Sequence, residues 1–175
     1  ISIEHTQFLG NTITEIAGEK AGIIKQNIPV VIGEREPDSS AVFDQAAHAK
    51  NAPLTYASDE EIMFPSTFPL LGTYQKANYQ LVLTALKVLH ADFPVLDEHV
   101  SAGLTNLAQN TGFYGRMQVV GTNPTVIFDV SHNEAGIKAT LDYFSDKQHL
   151  IIVYGTSADK NLDAIFPLFP RESRY

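Results

Sequence analysis

Short β-branched apolar runs alternate with helical periodicity along the whole chain, and that alternation confines it to an α/β fold. Thr12-Ile13-Thr14-Glu15 has the spacing of a capping box, so a helix is predicted from there to about Ile24. Ile28–Gly33 reads as a buried strand, Ser39–Lys50 as a helix and Leu54–Ala57 as a short strand. Ile62–Phe68, with Pro65 inside it and Pro69 after it, reads as an edge or a loop. The spacing of Tyr79, Val82, Leu83, Leu86 and Leu89 predicts a helix over Gln75–His90 with those residues on its core face. A further helix is predicted over Asp97–Ala108, then a turn at Asn110-Thr111-Gly112 and a domain boundary between there and Arg116. Beyond it, strand Thr125–Val130, helix Asn133–Phe144, strand Leu150–Tyr154 and a helix from about Lys160 form one βαβ unit and the start of the next. Ser131 and Glu134 offer a second capping-box spacing for the first of those helices.

The balance of 12 Lys+Arg against 20 Asp+Glu, a net charge of −8, argues against wholesale binding to nucleic acid or to an anionic membrane. With no cysteine, disulfides, thiolate metal sites and thiol catalysis are excluded, and a reducing, cytoplasmic compartment suits the chain. No run approaches the roughly 18–20 apolar residues of a membrane span. Ile1-Ser2-Ile3 reads as a strand end rather than a leader, and the chain is expected to be a piece of a longer protein.

Lys20 is the most informative position. It follows Ile16 by four residues and Ala17 by three, and precedes Ile24 by four, so at 100° per residue it points with the apolar stripe. A lysine there either snorkels out or loses its charge. A neutral amine can add to CO2, forming an N–C bond and losing a proton, and the resulting carbamate is an anion able to hold a hard cation. His5 follows an apolar strand end, where ligands approach open α/β sheets; it is either a metal ligand or a hydrogen-bonded structural histidine.

Asp129 closes an apolar strand just before a helix. It suits a ribose hydroxyl, or equally the amides of its own loop. The turn Tyr154-Gly155-Thr156-Ser157 leads to Asp159-Lys160, where backbone amides and Lys160 can hold a carboxylate. Gln75 and Asn78 suit the donor–acceptor edge of adenine, although Asn78 can also cap a helix, and Arg116 suits phosphate. These residues contain no phosphate-cradling GxxxxGK loop, and GxSxG, HExxH and CxxC are absent too.

Taken jointly, several segments resemble the folylpolyglutamate/dihydrofolate synthase family of the Mur ligase superfamily, the ATP-dependent amide-forming ligases. They are Ile3-Glu4-His5-Thr6 with Leu9-Gly10, Glu19-Lys20-Ala21-Gly22-Ile23-Ile24-Lys25 and Leu71-Gly72-Thr73-Tyr74-Gln75 with Asn78. Gly115-Arg116-Met117, Asp129-Val130-Ser131-His132-Asn133 and Asp159-Lys160 follow in the family's order. The resemblance implies that residues 1–114 are the later part of a P-loop-type central ATPase domain. Residues 115–175 would begin a Rossmann-like C-terminal glutamate ligase domain.

It further implies that His5 and a carbamylated Lys20 hold Mg2+, and that Gln75 and Asn78 meet adenine. Arg116 would meet the ATP phosphates, Asp129 the ribose, His132 the nucleotide site and Lys160 the carboxylate of the incoming glutamate. The expected reaction joins L-glutamate to a folate or dihydropteroate carboxylate through an acyl phosphate. Glu4 stands where the family usually has Asp, and Tyr74 where it often has His; the phosphate loop is missing, so these residues alone are expected to be inactive. Two other readings compete: another Mur-type amino-acid ligase, and a nucleotide-binding module without turnover.

Overall fold

The computed structural model describes residues 9–33, 36–57, 65, 68–147, 149–157 and 161–174. The expected strand end at Ile1–Ile3, most of Ile62–Phe68, and the candidates His5 and Lys160 lie outside them. The described residues divide into two compact units, one drawn from Ile1–Phe64 and Lys76–Val100, the other from Pro65–Gln75 and Ser101–Tyr175.

The first unit opens with helix α1, Ile13–Ala21. Its start is the predicted capping box: the Glu15 amide donates to Thr12 Oγ1 at 3.2 Å, and the Thr12 amide donates to Glu15 Oε2 at 3.1 Å. The Asn11 amide adds a 2.7 Å bond to the same carboxylate oxygen. Those bonds hold the Glu15 carboxyl below the usual glutamate range, the Asn11 amide contributing most. A depressed folded-state value means that the cap supports the helix at neutral pH and loses that support as acid protonates Glu15. Thr12→Ala is expected to lower stability by ~1 kcal/mol at neutral pH, read as a lower urea midpoint by circular dichroism.

Strand β1, Val30–Ile32, pairs in parallel with β2, Leu54–Tyr56, in the register Val30↔Leu54, Val31↔Thr55, Ile32↔Tyr56. Between them runs α2, Pro37–Ala49, whose proline near the first turn suits a position that needs no amide donor. Ala17, Ala21, Ile24, Phe43, Ala47 and Ala52 form the buried core, with Val30, Ile32 and Leu54 packed against it. The small residues let α1 and α2 approach closely. β1 was expected to be fully buried; its three residues are half-buried, and β2 is its one strand partner among the described residues.

Helix α3 spans Gln75–Leu89, close to its predicted bounds, but its buried face differs from the predicted stripe. Val82 and Leu89 are exposed while Thr84 is buried, its hydroxyl donating to Gln80 O at 2.9 Å. Apolar residues lie almost all round this helix, so their spacing fits a second stripe, Leu81, Thr84, Ala85 and Val88, as well as the first. The Leu81 side chain closes on Gly33, where an added Cβ would sit 3.3 Å from its Cδ2. The helix predicted over Asp97–Ala108 is two pieces, α4 over Asp97–Thr105 and α5 over Leu107–Thr111, and Gly112 at φ 63 ends the second.

In the second unit, β3, Gln118–Thr122, pairs antiparallel with β4, Thr125–Phe128, through a turn containing a cis Asn123–Pro124 bond. A bulge lies between Val119 and Gly121. β3 has no counterpart in the sequence prediction, and β4's partner is therefore a hairpin neighbour rather than the parallel strand of a βαβ unit. Helix α6, Glu134–Tyr143, buries Ile137; α7, Leu162–Ile165, buries Ile165 and runs into a 3-10 turn at Phe166–Leu168. The strand predicted over Leu150–Tyr154 is reduced to one parallel bridge, Ile151 with Arg174. Tyr154 instead packs its ring against Phe169 at 5.3 Å, edge to face. The predicted second capping box is also replaced. The Ser131 amide turns back to Asp129, so the helix starts later, capped by Asn133, whose Oδ1 accepts from the Gly136 amide at 2.8 Å.

Candidate functional site

The second unit gathers Gln75, Arg116, Asp129 and His132 of the predicted polar set around one bend. Arg116 sits between two residues in the left-handed region, Gly115 at φ 81 and Met117 at φ 50. That region is open to glycine but costs a methionine about 1 kcal/mol or more, so something must hold it. Three bonds do so. The Val130 amide donates to Gly115 O at 2.9 Å, the Gly115 amide to Gln118 Oε1 at 3.2 Å, and the Met117 amide to Asp129 Oδ2 at 2.8 Å. Met117 is fully buried and anchors the bend, while Arg116 between them is exposed. A left-handed pair flanking one arginine thus presents a guanidinium to solvent on a fixed backbone.

Asp129 is open to two readings, ribose contact or loop amides, and in the structure it does accept from backbone amides. Its Oδ2 takes the Met117 amide, and its Oδ1 takes the Ser131 amide at 2.9 Å and the Thr140 hydroxyl at 3.2 Å. A carboxylate offers about four acceptor positions. Three are used among the described residues, which leaves about one, on Oδ2, enough for a single ligand hydroxyl. His132 is exposed, with Nδ1 3.0 Å from Val130 O; a carbonyl can only accept, so Nδ1 carries the proton and Nε2 of the neutral ring is left as an acceptor.

Tyr74 belongs to this neighbourhood. Gly72, at φ +102, lets the Tyr74 ring fold over it so closely that a Cβ there would lie 2.7 Å from the ring. Burial raises the Tyr74 phenol above its usual range, and Asp129 adds to that, while Arg116 and a hydrogen bond with Gln75 oppose it. Gln75 is buried at 3 % exposure, whereas Asn78, one turn on, is exposed. Neither Tyr74 nor Thr140 was among the predicted site residues. The Gly-Thr-Tyr turn hinted at the first; nothing in the local sequence marks the second, whose partners lie 9 and 11 residues away.

Lys20, in the first unit, is exposed, the snorkelling one of its two readings. The angular argument is nevertheless met: Lys20 lines an apolar pocket of about 180 Å³ together with Ile23, Ile24, Val30, Ile32 and Phe43. α1 ends one residue later, at Ala21, so Lys20 stands in its last turn, where a long side chain can reach solvent. A cation in the last turn also complements the helix dipole. Among the described residues no group of three or more His, Asp or Glu side chains is placed to hold a metal ion. Thr156 and Tyr154, in the turn before Lys160, each bury a hydroxyl with no hydrogen-bond partner among the described residues.

Residues 115–171 match the family described as Mur ligase, glutamate ligase domain. The folylpolyglutamate synthase of Lacticaseibacillus casei is 28% identical over 94% of this chain and 44% of its own length. The dihydrofolate synthase/folylpolyglutamate synthase of Bacillus subtilis is 28% identical over 91% of this chain and 42% of its own. The structure of E. coli FolC in complex with DHPP and ADP superposes with a TM-score of 0.76 at 23% identity, covering 96% of this chain and 42% of that one. The chain thus spans less than half the length of these relatives. Residues 115–171 thus match a Mur ligase glutamate ligase domain, and the α/β chain as a whole is similar to the folylpolyglutamate and dihydrofolate synthases.

Proposed function

We propose that this chain is part of an ATP-dependent ligase that joins L-glutamate to a folate or dihydropteroate carboxylate. In this reading residues 1–114 belong to the central ATPase domain and 115–175 to the C-terminal glutamate ligase domain. The observation that carries it is the braced Gly115-Arg116-Met117 bend at the start of the matched domain, with Asp129 behind it. Both reactants are anions, a carboxylate and a triphosphate, so the reaction needs positive charge held in place before they meet. An acceptor carboxylate oxygen bonds to the γ-phosphorus as the bond to ADP breaks. The neutral glutamate amine then adds to the acyl carbon, phosphate departs, and the amine proton is lost.

The roles of the residues follow the resemblance, and their chemistry suits them. Arg116 meets the ATP phosphates and needs no reorganisation, since its backbone is already fixed. The one open acceptor position of Asp129 takes a ribose hydroxyl, and the bare Nε2 of His132 lines the same site. Exposed Asn78 is suited to adenine, while buried Gln75 holds Tyr74. Lys160 takes the glutamate carboxylate. Magnesium, when bound, offsets charge on the transferring phosphate. It prefers oxygen ligands, which a protonated lysine lacks, so Lys20 would serve such a site only as its carbamate, and the resemblance makes His5 the other ligand. A cytoplasmic location goes with the use of ATP; among the described residues no helix is long and apolar enough to cross a membrane.

The test is an assay of the full-length protein with ATP, L-glutamate and either dihydropteroate or a reduced folate. ADP release matched by amide product is expected, and ATP turnover that no folate acceptor stimulates would end this reading. Asp129→Ala is expected to raise the KM for ATP about tenfold or more and that for glutamate little. An unchanged KM for ATP would remove Asp129 from the nucleotide site.

A further inference from the structure

We infer that Thr140 is a positioning residue for the nucleotide, acting through Asp129 and the Met117 amide on the pose of Arg116. The inference rests on the ligase reading above. Thr140 lies on α6, remote from the bend in sequence, and its hydroxyl donates to Asp129 Oδ1 at 3.2 Å. A hydroxyl has one proton. With that proton on Asp129, its lone pairs are left for the Ser131 hydroxyl, whose oxygen lies 3.3 Å away. Ser131, Thr140 and Asp129 therefore form a chain that ends on the Met117 amide.

The geometry explains why such a chain is built there. Asp129 must turn one carboxylate edge to a buried left-handed methionine and keep the remaining Oδ2 position clear. The Ser131 amide comes from Asp129's own loop and can move with it. Thr140 sits on a helix whose Ile137 is buried in the unit, so its bond ties the carboxylate to a part of the structure that does not move with the loop. Without it the carboxylate can rotate about χ2. Met117 then loses the partner that offsets its strained φ, and Arg116 loses its fixed backbone.

Thr140→Val keeps the shape and removes the hydroxyl; Thr140→Ser restores it. In the full-length protein, Thr140→Val is expected to raise both the KM for ATP and the Kd for ADP, the latter by calorimetry, about tenfold. The KM for glutamate should stay within about twofold, and Thr140→Ser should recover the ATP values to within about twofold. An unchanged KM for ATP in Thr140→Val overturns the inference. So does an equal rise in both substrates' KM that tracks a fall in Tm, which is the signature of a merely structural threonine. Thr140→Ala, read by the same ratio of KM values, serves if the valine variant does not fold. Wild-type protein that neither binds ADP nor forms amide overturns the ligase reading itself, and this inference with it.

Discussion

Lys20→Ala in the full-length protein is expected to lower ATP- and glutamate-dependent amide formation at least about a hundredfold, the scale on which a single charge-stabilising group acts in a transition state. Its stability should change by less than about 1 kcal/mol. Lys20 is exposed in the last turn of α1, so its removal opens no cavity and forfeits only a helix-dipole contact, against which alanine's helix propensity works. Loss of activity without loss of stability is what separates a metal-holding carbamate from a snorkelling lysine. Lys20→Arg sharpens the contrast, since it keeps the cation for the dipole but cannot form the carbamate, and it should be as inactive as the alanine variant. Short carboxylates should restore part of the activity of Lys20→Ala by standing in for the carbamate. Bicarbonate should do so less well, because the amine that would capture CO2 is gone. Near-normal turnover of Lys20→Ala would strike the metal role from this residue.

Local rules made much of the first unit legible. The Thr12–Glu15 reciprocity and the long α3 follow from spacing within a few residues, the Val30–Ile32 run from its β-branched composition, and each appears with ends shifted by a few positions at most. What failed depended on distant partners. The Leu150–Tyr154 run has strand composition, yet a strand needs a neighbour along its length, and only Ile151 has one among the described residues. β3 went unread because Gly121 and Asn123-Pro124 look like breaks; in fact two β-branched runs separated by two residues are a hairpin signal. Lys20 shows the limit of angular reasoning, which places a Cβ but not the far end of a four-carbon stem.

The site divides in the same way. Asp129 and Arg116 were visible because a carboxylate at a strand end and an arginine beside a glycine are unusual locally. Their mutual dependence was not, since the bond from the Met117 amide to Asp129 spans 12 residues and the Thr140 contact spans 11. Tyr74 and Gln75 precede the matched domain in sequence yet pack in the same unit with Arg116 and Asp129, a grouping that no window along the chain could reveal.

Gly115→Ala tests whether that bend is a spring under restraint or a loose turn, and it should be among the most damaging substitutions in the second unit. A Cβ at position 115 would lie 2.5 Å from Val130 Cγ1, closer than carbon atoms approach, at a backbone φ of +81 that side chains resist. Neither strand end can slide away, because the Val130 amide is bonded to Gly115 O. Overpacking of this kind costs about 1–3 kcal/mol, and the left-handed backbone adds roughly 1–2. A loss of about 2–5 kcal/mol is therefore expected in urea unfolding, together with a weaker hold on ADP as Arg116 shifts. Gly112→Ala is the matched control. Gly112 is also left-handed, at φ +63, but nothing lies within 4 Å of its added Cβ, so it should cost only about 1 kcal/mol and leave ADP affinity alone. If the two alanines prove equally mild, the restraint on the bend is absent, and with it the reason for Arg116 to be held ready for phosphate.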